Sequence, residues 1–124
     1  MTNPATAHLI KKPVLAVNAD KGEILVVINE WEGGEFHTAE IEVKNYTWSD
    51  IAELTNEDHA SCHVFKVIII DENGSASSDH ENDIAEAWLD LGETRENISD
   101  LYIPEYLRQT VPVEDALYDA ELAA

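Results

Sequence analysis

Between Phe36 and Lys44 the chain alternates without a break. His37, Ala39, Ile41 and Val43 fall on one side, and Phe36, Thr38, Glu40 and Glu42 on the other. A period of two suits an extended, half-buried strand with one wet face and little else. Such a strand needs sheet neighbours, and the flanking sequence offers them. His8–Ala19 contains Val14-Leu15-Ala16-Val17 and ends at the turn residues Asp20-Lys21-Gly22. Glu23–Trp31 carries Ile24-Leu25-Val26-Val27-Ile28 and ends at Glu32-Gly33-Gly34-Glu35. Short glycine-containing links make these three strands an antiparallel meander. Pro13 belongs at an edge or strand entry, because proline donates no ladder hydrogen bond. His63–Ile70 is apolar on both faces around Lys66, which reads as a central fourth strand.

Helical signals dominate the remainder. Thr47-Trp48-Ser49-Asp50 has the form of a capped N-terminus, with Thr47 as cap and Asp50 three residues on, and the helix should end near Thr55. Asn73-Gly74 turns the chain into the polar loop Ser75–Ser78. Ser78 with Glu81 suggests a capping box and Gly92 a C-terminal stop, which predicts a helix over 79–91. Pro104 can open a short helix through Thr110, and Pro112 a final one through Ala123. The expected fold class is therefore α+β: a four-stranded, mainly antiparallel sheet with three or four helices on one face. At 124 residues it forms a single domain, 1–124, in which residues 113–124 read as a terminal helix or a mobile tail.

Charge is distributed along this plan unevenly. The chain carries 26 acidic residues against seven lysines and arginines. Residues 1–44 hold seven acids and four bases, and residues 45–124 hold nineteen acids and three bases, Lys66, Arg95 and Arg108. Such an imbalance speaks to partners rather than to fold. It excludes attraction to free nucleic acid and to anionic lipid, both of which repel carboxylates. Adaptation to high salt is the competing explanation, but eleven isoleucines are many for such a protein. The apolar runs Ile24–Ile28 and Val67–Ile70 are too short to cross a membrane, and the stretch Met1–Lys12 lacks the pattern of a signal peptide. Lone Cys62 cannot form an internal disulfide, which fits a cytoplasmic setting.

The helix over 79–91 concentrates the acidity. Ile84, Ala87, Trp88 and Leu91 form its apolar stripe, and Asp79, Asp83, Glu86, Asp90 and Glu93 follow one another at spacings of 4, 3, 4 and 3. Each helical turn of about 5.4 Å thus raises one carboxylate. Phosphates along a nucleic-acid strand recur on a comparable scale, about two base steps of ~3.4 Å. Like-charge pairs at i,i+4 cost ~0.2–0.5 kcal/mol each, so a helix that keeps them is shaped by more than its own stability. Glu96 and Asp100 extend the acidic face. The aromatic residues Trp31, Tyr102, Tyr106 and Tyr118 stand among acids, a mixture found at protein interfaces. The ordinary alternative is a solvated helix face.

Weaker constellations compete. Asp20, Glu40, Glu42 and Lys44 echo the carboxylate-and-lysine set of magnesium-dependent nucleases, although Asp20 falls in a turn. His59, Cys62 and His63, with His80 and Glu81 or Asp83, hold zinc-ligand chemistry without a second cysteine pair. Asp71–Asp79 resembles a calcium loop with Ala76 in place of the sharp-turn glycine and Asn82 in place of the closing glutamate. An Asn-Gly turn and surface histidines account for the same residues, and neither cofactor nor metal is expected.

In size and charge the chain resembles the acidic DNA mimics of phages and mobile elements, such as anti-restriction and anti-CRISPR proteins. That resemblance implies a small non-enzymatic inhibitor whose partner is a basic nucleic-acid-binding protein or nuclease. An immunity protein or antitoxin against a basic nuclease toxin would use the same face. A metal-dependent nuclease built on Asp20, Glu40, Glu42 and Lys44 would instead need divalent metal.

Overall fold

The computed structural model describes residues 14–31, 37–56 and 62–123. Its strands are β1 (Leu15–Val17), β2 (Ile24–Trp31), β3 (His37–Glu42), β4 (Tyr46–Thr47), β5 (Cys62–Ile70) and β6 (Ala76–Ser77). The helices are α1 (Trp48–Leu54), α2 (Glu81–Leu89), α3 (Glu105–Arg108) and α4 (Val111–Ala123). The fold is α+β, with a four-stranded sheet in the order β3-β2-β5-β6 and a separate β1-β4 ribbon. Every pairing is antiparallel.

The sheet has four strands as expected, but not the expected four. β2 is hydrogen-bonded to β3 on one side and to β5 on the other, so no edge of it remains for β1. β1 pairs instead with Tyr46 and Thr47. Between β1 and β2, Asn18 caps a 3-10 turn at Ala19–Lys21, which Gly22 closes at φ +86°. The fourth strand is β6, reached through the Asn73-Gly74 turn. Asp71 Oδ1 accepts from the backbone N–H groups of Asn73 and Ser75 and holds this turn. β5 is internal, as its two-sided apolarity implies. A register shift where β2 passes from Ile28 to Asn29 lets Val64, Val67 and Ile69 all reach the core. The readings placed on His8–Pro13, on Glu32–Phe36 and on His59 lie outside the described residues.

The helices follow local chemistry closely where that chemistry is complete. Thr47 Oγ1 accepts from the Asp50 N–H at 3.1 Å, and Asp50 Oδ2 accepts from the Thr47 N–H at 2.9 Å. This reciprocal box starts α1. α2 is shorter than predicted, Glu81–Leu89 rather than 79–91, and His80 rather than Ser78 precedes it without a side-chain cap. The cause is that Ser77 still belongs to β6, and its hydroxyl is tied to His80 Nε2 at 2.8 Å. α3 follows Pro104, and α4 docks through Val113 and Ala116.

One core joins these layers. Leu25 and Val27 of β2 and Val64, Val67 and Ile69 of β5 meet Ile51 and Ala52 of α1, Ile84, Ala85, Trp88 and Leu89 of α2, Leu107 of α3 and Val113 of α4. Trp88 is 2% exposed, and its indole N–H donates to Asn56 Oδ1 at 2.8 Å.

β3 sits on this sheet the opposite way from ordinary expectation. Its Glu42 and Glu40 stand opposite Leu25 and Val27, on the side that the helices cover. Its Ala39 and Ile41 stand opposite Ile28 and Val26, on the open side. Ile41 is 67% exposed and Val43, just beyond the strand, 70%. The open side continues across β5, where Ile68 and Ile70 pair with Val26 and Ile24, and ends at Ala76 of β6. Among the eight paired open-side positions Ala39, Ile41, Ile24, Val26, Ile28, Lys66, Ile68 and Ile70, Lys66 is the one charged residue, and Glu30, opposite His37, follows Ile28 on the same side of β2.

Candidate functional site

The acidic surface is organised by α2 and the turns that follow it. Burial of Ile84, Ala85, Trp88 and Leu89 fixes the rotation of the helix about its axis. That rotation turns Asp83 and Glu86 to solvent, with Asp90 following as the C-terminal cap. At 1.5 Å rise per residue these three span ~10 Å. Asp79 is exposed ahead of the helix. Glu93 and Glu96 are exposed in turns after Gly92, which adopts φ +49°, and Asp100 is exposed in a 3-10 turn at Ile98–Asp100. The expected row of five carboxylates on a single helix is thus shortened. Only Asp83, Glu86 and Asp90 keep helical spacing, because the helix ends at Leu89 and the chain changes direction at Gly92. All seven proposed residues are nevertheless exposed within one stretch, 79–100.

Arg95 is the feature that helical periodicity overlooks. The turn after Gly92 carries it back onto the helix, where one guanidinium nitrogen lies 3.1 Å from Asp90 Oδ1 and 3.5 Å from Glu86 Oε2. The Asp90 hydrogen bond, with the nearby Glu86 charge, raises the pKa of Arg95 above its ordinary value and keeps it charged. The pairs are solvent-exposed, so they tune the surface more than they stabilise the fold. The other two bases of the acidic half point elsewhere. Lys66 lies on the open sheet face. Arg108 lies over the Tyr102 ring, 6.0 Å from its centroid, and donates to the Ile103 carbonyl.

Further acids belong to the same helical layer. Glu114, Asp115, Asp119 and Glu121 are exposed on α4, interleaved with exposed Tyr118 and Leu122. The exposure of Tyr118 beside carboxylates agrees with its reading among acids, and exposed Leu122 adds an aliphatic residue to that mixture.

The competing constellations do not assemble from the described residues, and His59 lies outside them. Among the described residues no group of three or more His, Cys, Asp or Glu side chains could hold a metal ion. Asp20 is in the 3-10 turn, Glu40 and Glu42 are on β3, and Lys44 is committed 5.0 Å above the Tyr46 ring. His80 packs against Trp48 with ring centroids 5.4 Å apart. Asp71 closes a hairpin turn rather than a calcium loop. A cavity of about 280 Å³ between the β3–β4 connection and α1 is lined by Lys44, Asn45, Tyr46, Asp50, Glu53 and Leu54, but the Asp50 carboxylate is already used to cap α1. Among the described residues no helix is long and apolar enough to cross a membrane. Comparisons with protein-family models, curated proteins and solved structures return no match.

Proposed function

We propose that this protein is a small, non-enzymatic inhibitor that occupies a basic, nucleic-acid-binding surface of another protein in the cytoplasm. The observation that carries the reading is the disposition of the three bases in residues 45–124. Nineteen acids share that stretch, yet only Arg95 reaches the acidic surface, while Lys66 lies on the open sheet face and Arg108 over the Tyr102 ring. Asp79, Asp83, Glu86, Asp90, Glu93, Glu96 and Asp100 therefore present a field that lysines and arginines prepared for phosphate would meet favourably.

The test uses the combined variant Asp83→Asn, Glu86→Gln, Asp90→Asn. These positions are exposed, so the variant should remain folded. Pull-down from a host lysate at low and high salt supplies the partner. Association rates are then measured against ionic strength for wild type and variant. The variant should associate more slowly with a flatter salt dependence, and the partner's nucleic acid should compete with wild type. Equal rates and equal salt slopes would place the interface elsewhere, and simultaneous binding of protein and nucleic acid would exclude mimicry.

A further inference from the structure

The open face of the four-stranded sheet is chemically unlike the rest of the molecule. The chain has a formal net charge of −19, yet the array of eight paired open-side positions around Val26 contains seven apolar residues, one lysine and no carboxylate; exposed Val43 adjoins it at one end and Glu30 follows Ile28 at the other. At the β3 margin this surface is not merely grazed by solvent, since Ile41 is 67% exposed. The helices cannot cover it, because their buried residues all meet the other side of β2 and β5. Burying such a surface is worth roughly 25 cal/mol per Å² of apolar area, so an exposed array of this kind calls for an occupant.

We propose that the occupant is a second copy of this chain, packed sheet on sheet about a two-fold axis to give a helix–sheet–sheet–helix dimer. Charge selects it. A basic partner gains most at the acidic helical layer and gains little from an array whose only charge is Lys66. Two copies of so acidic a chain repel wherever their carboxylates approach, and this array is where they can meet without opposing any. Face-to-face sheets pack ~10 Å apart, and each acidic helical layer is then directed away from the other. Lys66 lies at a corner of the array, where its aliphatic stem can lie along the apolar surface while the ammonium reaches solvent. A two-fold arrangement closes after two copies and leaves no open apolar face to propagate further. This inference is independent of the inhibitory role.

The experiment is sedimentation equilibrium of the full chain, with Ile41→Lys, Val43→Lys and Leu122→Lys compared at equal concentration. The three positions are similarly exposed, 67%, 70% and 68%, so none should disturb folding, which circular dichroism checks. Wild type and Leu122→Lys should sediment as dimers at tens of micromolar, and added salt should tighten both by screening the net charge. Ile41→Lys should weaken the dimer by ~100-fold or more, since each dimer would then bury two ammonium groups in an apolar interface, and Val43→Lys should act in the same direction. A dimer that survives both strand substitutions uses another surface and overturns the proposal. A monomeric wild type overturns it as well, and Nile red then tells the alternatives apart. Strong dye binding would leave the face to a different protein, and weak binding would mean that other residues of the same chain cover it.

Discussion

Tyr106 offers a quantitative probe of the helix–sheet interface. Its hydroxyl is buried between the helical layer and β5 and makes no hydrogen bond of proper geometry. Desolvation, helped by the Glu81 charge, pushes its pKa up from 10.0 to about 12, although the Val67 backbone offsets part of this. Tyr106→Phe removes the unpartnered hydroxyl while keeping the ring. Leaving such a group buried costs ~1–3 kcal/mol, so the variant should be more stable than wild type by about 1 kcal/mol near neutral pH. Alkali should widen that gap. The unfolded chain loses the phenolic proton near pH 10, whereas the folded chain keeps it to about pH 12. Above pH 10 the unfolded state therefore binds fewer protons, and wild-type stability falls with rising pH. The contribution is complete below pH 10 and is lost as the pH passes 12. A shift of two units corresponds to roughly 2–3 kcal/mol in full. Urea unfolding from about pH 8 to about pH 11.5 should show wild type losing more stability than Tyr106→Phe, by on the order of 2 kcal/mol at the upper end. Tyr46, whose pKa burial also raises, titrates equally in both proteins and drops out of the difference. Parallel pH profiles would show that the hydroxyl is not desolvated, and a loss of stability on Tyr106→Phe at pH 8 would reveal a hydrogen bond.

Three other outcomes are expected. Trp88→Ala should cost ~3–5 kcal/mol by chemical denaturation, since it empties a core site and strands Asn56; a native-like midpoint would refute the packing of α2 against the sheet. Thr47→Ala should cost about 1 kcal/mol through loss of the α1 capping box, and Thr47→Ser should recover most of it in the same assay. Moderate NaCl should raise the melting temperature of wild type by screening the repulsion among the acids, whereas a flat or falling value would mean that they are already compensated locally.

The sequence disclosed those parts of the fold that local chemistry decides. The Thr47–Asp50 box, the Asn73-Gly74 turn, the Trp88 stripe and the proline before α3 each involve neighbours within a few residues. What it hid depends on partners distant in the chain. Nothing in Leu15–Val17 says that β3 and β5 will take both edges of β2 and leave β1 to pair with Tyr46. Alternation in β3 shows that one face is apolar, but not that the helices would cover the other one. Ser78 and Glu81 match a capping pattern, yet the pairing of Ser77 with Ile69 delays α2 until after His80. Ile98 is fully buried in a 3-10 turn too short to have a period. Within the candidate site, the acids were visible one by one. The return of Arg95 to Glu86 and Asp90 was not, because it depends on the backbone turning at Gly92.

The division of charge along the chain becomes a division across the molecule because an α+β fold separates its strands from its helices. The four strands of the main sheet contain three carboxylates, Glu30, Glu40 and Glu42, and one lysine. The four helices contain ten carboxylates and one arginine. A strand that must join a sheet core is selected for β-branched apolar residues, and here that requirement leaves the open side of the sheet apolar around Val26. A short helix needs only one apolar stripe, so the rest of its surface is free to carry acids at a cost of a few tenths of a kcal/mol per like pair. The two surfaces therefore do not compete for the same residues. Screening should act on the two proposed contacts in opposite senses: salt should weaken attraction of a basic partner to the helices and strengthen apolar contact between copies at the sheet. A salt series that follows partner binding and self-association together would separate the two surfaces without any mutation.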